Sequence, residues 1–531
     1  MGTLWHGGPI YTLQHEGHRT DAVITKGSKI IEIGTVKELR DKYKEDIKEE
    51  IDLHGSTMLP GFVDSHMHLI GHGERLIRLD LSKYTSKQEV LLAVKEFSET
   101  VDEGEWVIGE GWNDNLWDQP EPIYASELDQ YVPNHPVMLK RVCRHALAVN
   151  SLGLSRANIT EDTECPPGGV IDKDEYGKLN GLLKDQAQEL LFNVMPSVSE
   201  NYLKKALHAA IKDAYKLGLT GGHTEDLNYY GGFSQTYQAF KQVIEVENLP
   251  FRVQLLVHHE VAEAMKESGG GYLEGSEHIE FGAMKIFADG ALGGRTALLS
   301  HPYADDRSTS GVAIYSQEQL AGLVEKARKL DMPVAIHTIG DLAFEMALNA
   351  IEKHPLKGLG RDRLIHAQIL RKELIDRAKK LPLILDIQPR FTASDFPWVI
   401  DRIGEENMEY CYAWKTLLKE GIHCAGGSDA PIEPANPFLG IHAAVTRTNI
   451  DDLHNTVYYP SEALTVFEAV SLFTKGSAYA ACHENDRGAI QEGFLADFTI
   501  LNEDIFKMPI GQLANITVDK TVIDGKIVYE A

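Results

Sequence analysis

From about Leu217 onward the chain alternates between short apolar runs and longer stretches whose apolar residues recur at helical spacing. The runs are Leu217–His223, Phe251–His259, Phe281–Asp289, Met332–His337, Arg363–His366, Leu381–Gln388 and Ile422–Ser428. Between them lie amphipathic patterns such as Gln317–Leu330, Lys372–Lys380 and Ala413–Glu420. A strand buried on both faces reads as a continuous apolar run, and neighbouring parallel strands need a crossover helix. A further run, Gly61 to Ser65, leads into His66 and brings the count to eight strands, the number that closes a (β/α)8 barrel of the TIM type. Polar, chemically capable residues stand at the C-terminal ends of these runs, where such barrels carry their active sites.

The interval from His68 to Leu217 is too long for one crossover. Asn201–Leu217 supplies the helix, which leaves an insertion of roughly residues 74–200. It holds the apolar stretches Trp106-Val107-Ile108-Gly109 and Pro136-Val137-Met138-Leu139 and a turn-rich Pro166-Pro167-Gly168-Gly169. The expectation is a small α/β subdomain placed over the barrel mouth, since it follows the first barrel strand directly. The barrel itself is expected over residues 55–73 and 201–486. Residues 1–54 read as short strands and turns, as in Leu4–His6, Asp21–Thr25 and Lys29–Glu32. Residues 487–531 have the same character, with Asp524-Gly525 as a hairpin turn between two β-rich runs. Neither end has enough apolar residues for a core of its own, so the two are expected to join in one small β-sandwich.

Acids outnumber bases by 79 to 52 in the 531 residues, a net charge of -27. That opposes nucleic acid and anionic membrane as partners and leaves a small-molecule substrate. The five cysteines (Cys143, Cys165, Cys411, Cys424 and Cys482) are scattered and never spaced as C-x-x-C, so reduced thiols are expected. There is no basic-then-apolar leader and no apolar stretch of membrane-spanning length, which points to the cytoplasm. A homodimer is the base-rate expectation for a soluble oligomer.

The first run carries the densest chemistry. Residues two apart on a strand point the same way, so His66 and His68 converge beyond its end as two imidazole donors suited to a zinc-type ion. His337 and His366 occupy the ends of the fifth and sixth strands. Either alone reads best as a satisfied core histidine; four at the ends of one barrel are better explained by a metal. Asp429 lies beyond the eighth run in Gly427-Ser428-Asp429. A carboxylate there fits a ligand that also takes a proton from water, or a helix N-cap before Pro431. Lys285, at the mouth on the fourth strand, has its pKa lowered by burial and by a nearby dication.

This series, headed by Pro60-Gly61-Phe62-Val63-Asp64-Ser65-His66-Met67-His68, resembles the amidohydrolase superfamily. Four further motifs are similar to its YtcJ-like subgroup, which includes N-substituted formamide deformylases. They are Gly111-Trp112-Asn113, the stretch from Lys285 to Ala297, His337-Thr338-Ile339-Gly340-Asp341 and His366-Ala367-Gln368. The resemblance runs over the whole chain. It implies a distorted TIM barrel and a metal-dependent hydrolase of carbon–nitrogen bonds other than peptide bonds, with an N-substituted formamide as substrate. Lactones, cyclic imides, deaminated rings and a non-catalytic scaffold are the other readings. The implied ligands are His66, His68, Lys285, His337, His366 and Asp429, holding one or two zinc-like ions, with Asp429 as the base. There are two ions if Lys285 is carboxylated; otherwise it is a plain lysine facing Asp289 or a substrate carboxylate. Trp112 fits a pocket wall or the subdomain core, Arg295 a substrate oxyanion or a turn cap, and His145, beside Arg144, the substrate pocket. His223, His258 and His259 are read as pocket lining.

Overall fold

The computed structural model describes residues 2–531 except 103, 118, 142–145, 167, 168, 194 and 196–198. The chain divides into two compact units, Met1–His72 with Leu207–Ala531, and Gly73–Ala206.

The first unit contains the barrel. Its strands are β1 (Phe62–Met67), β2 (Leu219–Thr224), β3 (Arg252–His258), β4 (Ile279–Phe287), β5 (Val334–Thr338), β6 (Asp362–His366), β7 (Leu383–Ile387) and β8 (Cys424–Gly426). They follow one another in the sheet in chain order, all parallel. Each falls within two residues of the limits its apolar run suggests. The expected crossover helices are present as well. Gln317–Lys329 starts at a capping box in which Ser316 and Gln319 satisfy each other's backbone N–H groups. No ladder joins β8 to β1. The gap is bridged by the Asp429 N–H on the His66 carbonyl (2.8 Å) and the His68 N–H on the Ala430 carbonyl (2.8 Å).

The interior of the barrel is partly polar. Arg363 on β6, 1% exposed, donates to Asp386 on β7, Gln254 on β3 and the Ser65 carbonyl on β1, and lies 3.2 Å from His223 Nδ1 on β2. One guanidinium thus ties five strands together, using its planar fork of donors where apolar side chains would leave the register free.

Both chain ends meet in one eight-stranded mixed sheet. The tail strand Phe498–Leu501 pairs antiparallel with Thr57–Pro60, which neighbours Gly2–Tyr11. The run Leu59–Met67 is therefore two strands in two sheets, with Gly61 as the crossing point. A Cβ on Gly61 would lie 2.4 Å from the Thr220 hydroxyl, so only glycine lets β1 pass β2 there. Alternation along Gly2–Tyr11 buries Leu4 with Ala22, Ile24 and Leu39 on one face and Trp5 with Val23, Met58 and Phe498 on the other. The Asp524-Gly525 hairpin turn has positive φ at both residues (55° and 70°), as a two-residue turn of that kind requires. One local expectation fails: residues 1–54 also contain a helix, Val36–Lys42, started by a Thr35/Glu38 capping box.

The second unit is built on a six-stranded sheet with Val107–Trp112 and Val137–Arg141 near one edge and Gly169–Lys173 at the other. Apolar clusters cover it, one around Val107, Trp112 and Leu139, the other around Leu147, Val149 and Leu183. Among the described residues no helix is long and apolar enough to cross a membrane.

Candidate metal centre

The ends of β1, β4, β5 and β6 and the segment after β8 surround a cavity of about 380 Å³. His66, His68, Lys285, His337, His366 and Asp429 all line it. His66 Nε2 and His68 Nε2 each lie 3.4 Å from Asp429 Oδ1, and donor atoms of these three residues fall within 4.8 Å of one another. The His337 and His366 rings face each other edge-on at 4.4 Å, with His366 5.6 Å from His66.

Hydrogen bonds on the far side of each ring decide which nitrogen is offered to the cavity. His68 Nδ1 lies 2.7 Å from the Glu225 carbonyl and must donate to it, which turns Nε2 toward the cavity and Asp429. His366 Nδ1 lies 2.7 Å from the Gln388 side-chain oxygen, which likewise turns its Nε2 toward the cavity. His337 is turned the other way: Nε2 is 3.0 Å from the Gly290 carbonyl, so Nδ1 is its acceptor. His66 Nδ1 is buried without a hydrogen-bond partner, and its Nε2 meets Asp429 and Lys285.

Electrostatics keep most of these groups in the form a cation needs. Burial holds His66 and His337 well below the ordinary histidine value and brings His366 down to about 4, so all three are neutral donors. Burial opposes charge on His68 and Asp429 too, but their mutual hydrogen bond wins. His68 rises to about 9, and Asp429 stays below the usual carboxylate range. A proton on His68 therefore fills the place of a cation beside Asp429. Lys285 is fully buried, which lowers its ammonium pKa. Its Nζ lies 3.4 Å from His66 Nε2 and 4.2 Å from the centroid of the Phe287 ring. Asp289 is not its partner: that carboxylate accepts the backbone N–H groups of Leu298, Ile339 and Gly340.

Asp64 sets the frame. Fully buried, it accepts the backbone N–H groups of His66 and Ser428 and the Ser428 hydroxyl (2.6 Å), pinning β1 to the segment that carries Asp429. A Cβ on Gly427 would come within 2.6 Å of the His66 nitrogen, which explains glycine ahead of Ser428-Asp429. His366, Ala367 and Asp429 all have left-handed backbone (φ 78°, 46° and 58°), a conformation costing about 1–3 kcal/mol per non-glycine residue and typical of functional sites. Asp64 and Gln388 were not among the residues expected from sequence, although an acid inside an apolar run was a visible signal for the first.

The other expected residues lie elsewhere. Trp112 is 1% exposed in the core of the inserted unit, its indole N–H on the Leu139 carbonyl (3.1 Å) and its ring stacked on Trp117. Arg295 does not line the cavity; it pairs through two nitrogens with Asp305. His223 lies deeper in the barrel against Arg363, and His258 and His259 stack on each other after β3. His145 and Arg144 lie outside the described residues.

Two imidazoles and a carboxylate converging on one point, with the outer nitrogen of His68 committed to the Glu225 carbonyl, are a donor set suited to zinc and its borderline neighbours. Residues 49–529 match the model of the "Amidohydrolase family". The chain is similar to the putative amidohydrolase YtcJ of Bacillus subtilis (52% identity, all of both chains). It is also similar to the N-substituted formamide deformylase of Arthrobacter pascens (26% identity, 98% of this chain and 97% of that protein). Among solved structures it resembles an uncharacterized metal-dependent hydrolase of Pyrococcus horikoshii, with a TM-score of 0.81 and 29% identity over 96% of this chain and 99% of the other.

Proposed function

The chain belongs to the amidohydrolase family, and from that premise we propose that it hydrolyses a carbon–nitrogen bond, with an N-substituted formamide or a related amide as substrate. The observation that carries the reading is the approach of both histidine Nε2 atoms to one oxygen of Asp429, inside a cavity whose remaining wall is largely apolar. His66, His68 and Asp429 would hold the ion. A divalent ion there supplies Lewis acidity, bringing the pKa of water to about 7 and polarising a carbonyl.

The chain's own residues do the rest. Asp429 is ionised and accepts the proton of the attacking water on a carboxylate oxygen. It returns that proton to the nitrogen as the C–N bond breaks, releasing the amine and, from a formamide, formate. Phe287, Leu292, Ile339, Phe391, Trp398 and Ile432 exclude water and suit an apolar substituent. Gln368 and Asp395 are polar points on the same wall, the Asp395 carboxylate braced by the Tyr412 hydroxyl (2.6 Å). Among the described residues the basic side chains on the cavity wall are Lys285 and the histidines.

Lys285 belongs to the same proposal. As a neutral amine it takes up carbon dioxide and loses a proton, giving a carbamate that serves with His337 and His366 for a second ion. The relative that acts on N-substituted formamides supports the substrate class. A panel of formamides, acylated amino acids, lactones and amino-purines tests it, together with metal content per chain and the mass of the Lys285 side chain. Turnover confined to lactones or amino-purines overturns the amide reading. Lys285→Ala should lose activity and one metal, with partial rescue by excess short carboxylic acid; retention of full metal and turnover removes the carbamate.

A further inference from the structure

The segment after β2, Thr224-Glu225-Asp226, has no place in the reaction above, yet all three residues are fully buried and turned toward the chain around His68. Thr224 Oγ1 accepts the Leu69 N–H (2.7 Å) and Asp226 Oδ2 the Ile70 N–H (3.2 Å), satisfying two donors at the start of the helix that follows His68. The Glu225 N–H continues the β2 ladder onto the Met67 carbonyl (3.1 Å), the residue before His68. Its own carbonyl then receives His68 Nδ1, so the backbone alone already fixes the imidazole tautomer.

The Glu225 side chain is not needed for that task. Its Oε2 lies 3.8 Å from the same His68 nitrogen and accepts the Tyr229 hydroxyl (2.7 Å), while Oε1 is buried with no hydrogen-bond partner. The Tyr229 ring in turn stands edge-on to His68, with centroids 6.2 Å apart. A carboxylate with 0% side-chain exposure and an orphan oxygen is costly unless positive charge lies next to it. The group it lies against is His68, and beyond that ring is the point where His66, His68 and Asp429 converge.

Resting on the metal-centre reading, we infer that Glu225, held by Tyr229, is a positioning residue that adds negative charge behind His68 and so tightens the hold of the centre on its cation. Glu225 works through the imidazole and touches neither ion nor substrate.

That gives a signature a purely structural residue lacks. Glu225→Gln keeps the shape and can keep the Tyr229 contact but removes the charge. Zinc affinity, measured by competition with a chromophoric chelator, should fall by about 10- to 100-fold, as for other groups behind a metal-bound histidine. Zinc should also raise the melting temperature of the variant less than it raises that of the parent. Tyr229→Phe, which leaves Glu225 in place, should weaken zinc by a smaller factor. Unchanged zinc affinity in Glu225→Gln overturns the inference. So does a zinc-induced rise in melting temperature that is equal in variant and parent. If Glu225→Gln does not fold, unchanged affinity in Tyr229→Phe overturns it. A parent and a His66→Ala variant that bind zinc equally overturn the metal-centre reading itself, and this inference with it.

Discussion

The barrel buries charge at both ends, and the two ends treat it in opposite ways. At the N-terminal end Arg252, which opens β3 and is 3% exposed, pairs with Asp497 and Asp524 of the terminal sheet, and His278 reaches Asp524 at 2.7 Å. There the strong donors meet strong acceptors, and the cluster acts as a joint between sheet and barrel. At the C-terminal end, among the described residues, His66 Nδ1 has no hydrogen-bond partner, Lys285 lies against a histidine and a phenyl ring, and His366, Ala367 and Asp429 hold left-handed backbone. Satisfied charge specifies how elements join. Unsatisfied, preorganised charge is stored for a ligand.

The largest effect that would break this contrast is on turnover. Asp429→Asn should lower kcat by about 100- to 10,000-fold, the usual range for a general base. The folded state should persist, because Asp64 and the backbone close the barrel beside it. Metal content should be much less affected than rate. A variant that turns over at the parent rate would show that the convergence on Asp429 is not catalytic.

The complementary substitution is at the other end. Arg252→Met leaves Asp497 and Asp524 facing each other without their cation, and breaking a buried pair in this way costs about 3–5 kcal/mol. Denaturant unfolding should show that loss while zinc affinity of the folded fraction stays unchanged. Weakened zinc binding at unchanged stability would mean the two ends are not separable.

A milder perturbation of the same joint is acid. Burial opposes charge on Asp524, but the His278 hydrogen bond and the Arg252 charge win, bringing its carboxyl from 3.8 down to about 2. A depressed folded pKa means stability that is fully present above 3.8 and lost as pH falls through about 2. The amount is about 2 kcal/mol for a shift of this size. Asp524→Asn should therefore be less stable than the parent at neutral pH and should approach it as the pH drops from about 4 toward 2. Parallel acid limbs in the two proteins would remove Asp524 from the joint.

The two ends also differ in how much of them could be read along the chain. The eight barrel strands were legible because burial on both faces makes each an unbroken apolar run, and the histidines and Asp429 that line the cavity because they stand at the ends of those runs. The joint was not. Arg252, Asp497 and Asp524 are ordinary charged residues far apart in sequence, and nothing local says that they will meet. Arg363 escaped for the same reason, since its partners Asp386, Gln254 and Ser65 are far off in sequence. Asp64 stood out as an acid inside an apolar run, but its partner Ser428 did not. The strand Thr57–Pro60 escaped because it fuses with β1 into one apolar run, and only the Thr220 side chain packed against Gly61 explains the break. Trp112 was left open because a large aromatic suits a pocket wall and a core equally; its bond to the Leu139 carbonyl and its stacking on Trp117 place it in a core.

The smallest expected effect concerns Arg295, whose motif suggested a contact with substrate. Its guanidinium is committed to Asp305, which also receives Arg402, and Arg402 in turn donates to the Gly293 carbonyl on the cavity wall. Arg295 thus reaches the cavity only through two intermediaries. The pair is partly exposed, and such pairs are weakened by solvent and salt. Arg295→Gln should leave kcat and metal content unmoved, with at most a small rise in KM that high salt reproduces in the parent. Arg402→Gln, which frees the Gly293 carbonyl, should raise KM more. A collapse of kcat in Arg295→Gln would instead bring Arg295 to the reacting atoms. The cavity would then present a guanidinium to the substrate, and substrates with a carboxylate would become the better fit.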